Sequence, residues 1–396
     1  MHRGTQRKEE KERIECESSV LLLFMALLLA ACTSAPRHEQ HFLPVVRSAI
    51  PLPPGVLPPP TPPDNPLTAV KAELGRHLFY DRRISWNGTQ SCASCHQQRL
   101  AFTDGQLRAI GSTGEQHFRN SMTLANVGWR RPLTWANAAM RSLEEQALVP
   151  LTRHAPVELG MDGHLDVLLA RIRADDRYGP LFAAAFPGDP DPITIINTAR
   201  AIASFERTLI SANSAYDRLV LRGESNAFSE SAWRGMRLFF SPRLRCSSCH
   251  GGFDFDTPTT GTVFRNTGLY DRPRDLGDAN ARGTFRVPTL RNVAVTGPYM
   301  HDGSAGTLSD VIEDYAAGGR AARLGHHKPA QGVAIRPFAI TPDEKHDLLA
   351  FLESLTDPTF LSDPRYADPW PPASGASRTS SGDPNPIDRI AMEIER

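Results

Sequence analysis

From Pro66 onward, Leu67, Val70, Leu74 and Leu78 recur every three or four residues, the spacing of one helical face. They predict a helix that starts near Pro66 and runs into Phe79-Tyr-Asp-Arg-Arg-Ile84. Similar stripes predict helices over Leu165–Ala174 and over Ile193–Ala212, where Ile195, Ile196, Ile202, Phe205 and Leu209 recur at helical spacing. Ser229–Phe240 reads as a capped helix stopped by Pro242. Thr307-Leu-Ser-Asp310 has the form of a capping box, opening a helix that ends at Gly318-Gly319. A last helix begins at Thr341 with Pro342 in its first turn, carries Leu348, Leu349, Phe351 and Leu352, and stops at Pro358. No run of alternating apolar and polar positions stands out, so the fold class expected is mainly α, with long irregular loops.

Two segments lie outside this periodicity. The apolar run Leu21–Cys32 is short for a membrane span and closes on small residues, as a secretory leader does. Leu29-Ala-Ala-Cys32 resembles a bacterial lipobox, with Cys32 as the lipidated residue; a simply cleaved leader or a short anchor is the alternative. The expectation is a signal segment over 1–32 and export to the periplasmic side, lipid-anchored, with the outer membrane as the site. Residues 33–65 carry Pro51, Pro53, Pro54 and Pro58 through Pro60, and read as a proline-rich tether. After Trp370, residues 371–396 form a Pro/Ser/Gly tail expected to be disordered.

Composition excludes little beyond nucleic acid. The 44 basic and 44 acidic residues of the 396 cancel, leaving no electrostatic footprint for a polyanion. The chain has six cysteines, and four of them fall in two copies of one motif: Cys92-Ala-Ser-Cys95-His96 and Cys246-Ser-Ser-Cys249-His250. A redox dithiol needs no histidine after its second cysteine, and a zinc site needs a further ligand pair at finger-like spacing. C-x-x-C-H is instead the attachment pattern of haem c, with both sulfurs in thioethers and the histidine on the iron. The copies begin 154 residues apart, about one domain length, so two tandem cytochrome c-like helical domains, each with one covalent haem, is the economical arrangement.

Residues 66–370 resemble the bacterial di-haem cytochrome c peroxidase and MauG family. The resemblance rests on Gly75-Arg-His-Leu-Phe-Tyr-Asp-Arg-Arg-Ile-Ser, Ala101-Phe-Thr-Asp-Gly105, Arg119-Asn120, Leu143-Glu-Glu-Gln-Ala147, Ser204-Phe-Glu-Arg-Thr-Leu209, Pro288-Thr-Leu-Arg-Asn-Val293 and Gly297-Pro-Tyr-Met-His-Asp-Gly303. Leu133-Thr-Trp-Ala-Asn137, Arg207-Thr-Leu-Ile-Ser211 and Asp363-Pro-Arg-Tyr-Ala-Asp-Pro-Trp370 are most similar to its MbnH branch, which oxidises a tryptophan of the copper-associated partner MbnP.

The resemblance implies an N-terminal peroxide-reactive haem domain over 66–222 and a C-terminal electron-transfer haem domain over 223–370. His96 and His250 would be the proximal iron ligands. Gln146 and Glu158 would stock the distal pocket beside Pro150, the glutamate moving a proton between peroxide oxygens. Two extra residues before Glu158 bring in His154 as a rival acid–base group. Trp135 would relay oxidising equivalents between the haems, with Trp129 as the weaker candidate. Asn120 and the carbonyls of Thr296 and Pro298 would form a calcium site, completed by waters.

Tyr315 falls where the conventional peroxidases place a methionine ligand of the second haem and MauG places a tyrosine. An anionic oxygen ligand favours ferric iron. Leu308, Val311 and Tyr315 also form one helical stripe, so a core tyrosine is the plain alternative, and Met300 is a second candidate ligand. His301 is expected to pack near the second haem's edge, and His117, His326 and His327 to be surface or locally bonded. The functions implied are oxidation of a partner protein's residue, tryptophan above all, by hydrogen peroxide; or peroxide reduction with electrons from a small cytochrome or cupredoxin; or bare electron transfer without catalysis.

Overall fold

The computed structural model describes residues 52–53, 56–259, 261–270, 277–278, 281–326 and 333–370. The chain divides into residues 1–45, which lie outside the described residues with the leader and Cys32, and residues 46–396, which carry everything below. The 371–396 tail also falls outside the described residues.

The helices are α1 Ala69–Tyr80, α2 Cys92–Cys95, α3 Leu143–Thr152, α4 Leu165–Arg173, α5 Tyr178–Ala185, α6 Ile195–Thr208, α7 Ala215–Arg222, α8 Glu230–Phe239, α9 Leu308–Ala316, α10 Arg320–Arg323 and α11 Pro342–Glu353. Two antiparallel ladders of two residues per strand, Phe264–Arg265 with Phe285–Arg286 and Gly277–Asp278 with Ala281–Arg282, are the strands among the described residues. The N-caps follow the sequence: Thr68, Ser142, Thr194, Ser214, Ser229, Thr307 and Thr341 each accept from a first-turn amide.

Helix ends differ from expectation where tertiary bonds compete. The helix expected to reach Ala212 stops at Thr208, because the Leu209 carbonyl accepts from Asn126 N–H (2.8 Å) and Ser211 N–H donates to Asn126 Oδ1 (2.8 Å). The last helix ends at Glu353, and the Leu355 carbonyl beyond it accepts from Asn292 N–H at 3.0 Å. The tether is also shorter than its composition implied. Asn65 is fully buried and donates to Glu144 Oε1 (2.7 Å), while Pro59 stands against Gly128. Pro59 is part of the folded body.

The same plan occurs twice. In the first half α1 crosses α6 at Gly75, where a Cβ would stand 1.9 Å from the Ala201 carbonyl oxygen. In the second, α8 crosses α11 at Gly235, where a Cβ would stand 1.9 Å from the Asp347 oxygen. Only glycine permits helix axes that close. Around these crossings sit two apolar cores, one on Leu74, Leu78, Phe79, Phe102 and Phe205, the other on Phe239, Phe255, Phe351 and Leu352. Phe360 and Tyr366, late in the chain, pack back into the first core.

The repeat extends to Thr123-Leu-Ala-Asn126 and Thr289-Leu-Arg-Asn292. Both asparagines take the left-handed conformation at φ 59°, and both side chains bind Ser211: Asn126 Nδ2 donates to its carbonyl (2.9 Å), Asn292 Nδ2 to its hydroxyl (2.9 Å). Asparagine tolerates this backbone region better than most residues, which fits its presence at both turns. Buried ion pairs join the same layer, Arg291 to Asp217 at 2.8 Å and to Asp254 at 3.2 Å.

Candidate active site

Each C-x-x-C-H motif follows the first helix of its half through a short connection, so the motif lies at the end of a glycine-crossed helix pair. The two histidines are prepared alike. His96 Nδ1 lies 2.8 Å from the Phe102 carbonyl and His250 Nδ1 lies 2.9 Å from the Phe255 carbonyl. A carbonyl can only accept, so in each ring Nδ1 carries the hydrogen and Nε2 is left with its lone pair for a metal. Burial lowers the proton affinity of both imidazoles, which holds them neutral, the form that ligates iron. Phe102 and Phe255 can present their carbonyls because both take positive φ, 61° and 52°.

Around the second motif lies a cavity of about 240 Å³ whose wall includes Cys246, Cys249, His250, Trp135, Met300 and Tyr315. Two guanidinium groups, Arg130 from a loop and Arg286 from the strand Phe285–Arg286, also reach it. Arg286 Nη2 donates to Asp256 Oδ2 at 2.6 Å, but its Nε and Nη1, with Arg130 Nε, are buried without a hydrogen-bond partner among the described residues. One carboxylate, Asp256, pairs with both guanidiniums, at 2.6 Å from Arg286 Nη2 and 3.9 Å from Arg130 Nε, so one positive charge and three N–H donors remain for a further anion. The two carboxylates of haem are such anions, so the residues present fit the group that the motif implies. The sequence reading missed both arginines; Arg286 stands four residues before Leu290 in the second Thr-Leu repeat, but no motif marks Arg130.

Tyr315 reaches the cavity from α9, and burial raises its phenol well above the ordinary range. Met300, at φ 74°, borders the same space, so both candidate ligands are within the pocket. Trp135 lines it too, its indole N–H donating to the Asn120 carbonyl at 2.9 Å. Trp129 does not; it packs against Phe253 at 5.9 Å between centroids. His301 is buried and stacked on Phe285 at 3.5 Å, as expected of a residue at the pocket's edge. Asn120, Thr296 and Pro298 are on this wall as well.

Near the first motif, Gln146 and Pro150 are four residues apart on α3 and share a face. The Pro150 carbonyl accepts from Leu159 N–H at 2.9 Å, which brings the strand of chain carrying Glu158 beside that face. Burial dominates the proton affinities of Cys92, Cys95 and His96, and the Glu158 carboxylate adds a smaller electrostatic effect on all three. The two extra residues are absorbed by a turn that carries His154 outward: its side chain is 81% exposed and faces Asp162 at 3.5 Å. His154 is therefore no rival to Glu158. His117, read from sequence as a local or surface histidine, instead meets the Glu158 carboxylate, Nε2 to Oε1, at 3.1 Å. His326 is exposed, and His327 lies outside the described residues.

Two glycine-crossed helix pairs, each leading into a C-x-x-C-H with its histidine oriented for iron, define a di-haem c-type oxidoreductase. A family model described as di-haem cytochrome c peroxidase matches residues 69–226. The chain is 35% identical over 333 residues to the methylamine utilization protein MauG of Methylorubrum extorquens, covering 82% of this chain and 88% of that protein. It is 34% identical over 394 residues to cytochrome-c peroxidase IdrP1 of Denitromonas iodatirespirans, covering 88% and 97%. Among solved structures it is similar to a MauG-like protein associated with microbial copper homeostasis, with a TM-score of 0.76 and 43% identity over 81% of this chain and 99% of that one. The diheme peroxidase BthA of Burkholderia thailandensis shares the fold, with a TM-score of 0.59 at 22% identity.

The chain belongs to the di-haem cytochrome c peroxidase family that includes MauG. It is an oxidoreductase of that peroxidase class with two covalent c-type haems.

Proposed function

We propose that this enzyme uses hydrogen peroxide to oxidise residues, tryptophan first, of a small copper-associated partner protein like MbnP. The observation that carries this reading is Tyr315 on the wall of the second haem pocket, beside His250 and Trp135. The 43% identity to a MauG-like protein associated with copper homeostasis supports it. His96 with Cys92 and Cys95, and His250 with Cys246, Cys249 and Tyr315, would hold the two haems. Bound haem supplies the redox chemistry, exchanging two electrons with peroxide.

The chain's own residues then divide the remaining work. Glu158 takes the proton from one peroxide oxygen and returns it to the other, which leaves as water. Gln146 and Pro150, on the face beside it, shape the space over the first haem. Trp135, fixed by its bond to Asn120, is the relay through which electrons from the partner cross. Asn120 Nδ2 donates to the Gln106 carbonyl (2.8 Å), which leaves Oδ1 to serve, with the carbonyls of Thr296 and Pro298 and waters, as a calcium ligand.

Met300 on the same wall favours the second reading, in which peroxide is reduced with electrons from a small cytochrome or cupredoxin. The two are separated by supplying the purified enzyme with peroxide and either a copper-associated partner or a reduced small cytochrome. Oxygen added to a partner tryptophan, read by peptide mass spectrometry, is the expected result. Fast cytochrome oxidation with an unmodified partner would favour the second.

The enzyme is further proposed to be exported and held at a membrane by lipid on Cys32, motivated by Leu29-Ala-Ala-Cys32. Cys32→Ala is expected to lose lipid labelling and to appear in the soluble fraction. Retention of that variant in membranes would point to an uncleaved apolar segment.

A further inference from the structure

We infer that His117 is the positioning residue of the acid–base group. It holds Glu158 with one oxygen occupied and the other turned to the peroxide site. This inference rests on the reading of Glu158 given above.

The tautomer follows from the loop. His117 Nδ1 accepts from Arg119 N–H at 3.4 Å, so the hydrogen is on Nε2, which donates to Glu158 Oε1 at 3.1 Å. Arg153 Nη1 approaches the same oxygen at 3.8 Å. The one hydrogen bond and the nearby guanidinium thus both fall on Oε1, and no bond is placed on Oε2 among the described residues. A carboxylate held in this way has one oxygen pinned and one open. The His117 bond fixes Oε1, and Oε2 is the atom that takes and returns the peroxide proton.

The loop carrying His117 is built onto the loop carrying Glu158. Ser112 N–H donates to the Glu158 carbonyl at 2.7 Å, and Val157 N–H donates to Glu115 Oε2 at 2.8 Å. At Gly111 a Cβ would stand 1.7 Å from the Val157 carbonyl oxygen, so this residue must be glycine for the loops to meet. Within the loop, His117 N–H donates to the Ala109 carbonyl at 2.7 Å and Gly111 N–H to the Glu115 carbonyl at 2.8 Å. The imidazole therefore arrives on a braced backbone, which is what a positioning role needs.

The test compares His117→Phe, His117→Gln and Glu158→Gln in the purified di-haem enzyme. The readout is cyanide association with the ferric peroxide-reactive haem. Hydrogen cyanide must give up its proton to bind, so its rate reports the distal base without turnover. Glu158→Gln and His117→Phe should each slow association by at least about tenfold, whereas His117→Gln, which keeps an N–H donor, should stay within about threefold of wild type. A slow Glu158→Gln with a normal His117→Phe would overturn the positioning role. Equal slowing by His117→Gln and His117→Phe would overturn the donor role. A normal rate in Glu158→Gln would instead defeat the acid–base reading itself.

Discussion

Alanine at both Cys92 and Cys95 is expected to leave a folded protein that carries one haem and no longer consumes peroxide. Both sulfurs come from the single turn α2, and His96 follows directly, so the first haem would have its covalent anchors and its proximal ligand within five residues. Without the thioethers the macrocycle would be held by one nitrogen, which cannot fix its plane against Glu158. The second site has its own glycine crossing, its own core and its own motif, so it should load normally. Intact mass should fall by one haem relative to wild type, and the remaining spectrum should be that of the His250 haem alone. Two haems in the variant, or unchanged peroxide consumption, would contradict the assignment of the first motif. Cys246→Ala with Cys249→Ala is the informative mirror: it should keep peroxide reactivity at the first haem and lose delivery of oxidising equivalents to a partner.

The second large effect is expected at Tyr315. If its oxygen is on the second iron, the resting ferric protein lacks the near-infrared band of a methionine thioether, and Tyr315→Met creates it. The thioether favours ferrous iron, so the potential of that haem should rise by on the order of 0.1 V or more. Protein oxidation should weaken in step, because a partner residue is oxidised only by a site held at high oxidation state. Acceptance of electrons from a small cytochrome should improve. Met300 supplies the counter-result: a wild-type protein that shows the methionine band and loses it on Met300→Ala has Tyr315 as a wall residue only. The conventional peroxidase reading would then be preferred.

The covalent motifs and the long helices could be read from sequence because both are local. Leu74 and Leu78, or Leu348 and Leu352, declare a face within one helix, and C-x-x-C-H is complete in five residues. The contacts that finish the site are not local. His117 and Glu158 are 41 residues apart and meet only because two loops interlock at Gly111, so nothing near His117 distinguished it from a surface histidine. His154 erred the other way: two extra residues seemed to offer a rival base, but a turn spends them facing solvent. The carbonyls of Phe102 and Phe255 have no side-chain signature, and Arg130 and Arg286 declare themselves only through donors left unmet in a cavity. The repeat was written in the chain all along, in Gly75 with Gly235 and in the two Thr-Leu-x-Asn turns; without the crossings there was no reason to align them.

Ser211 is gripped by the asparagine of both turns, one by its carbonyl and the other by its hydroxyl. It works as an axle shared by two wheels. These bonds tie the two repeats to one residue, so their relative placement does not rest on the length of the connecting chain alone. With both haems bound, that tie would bear on the distance that electrons cross between them.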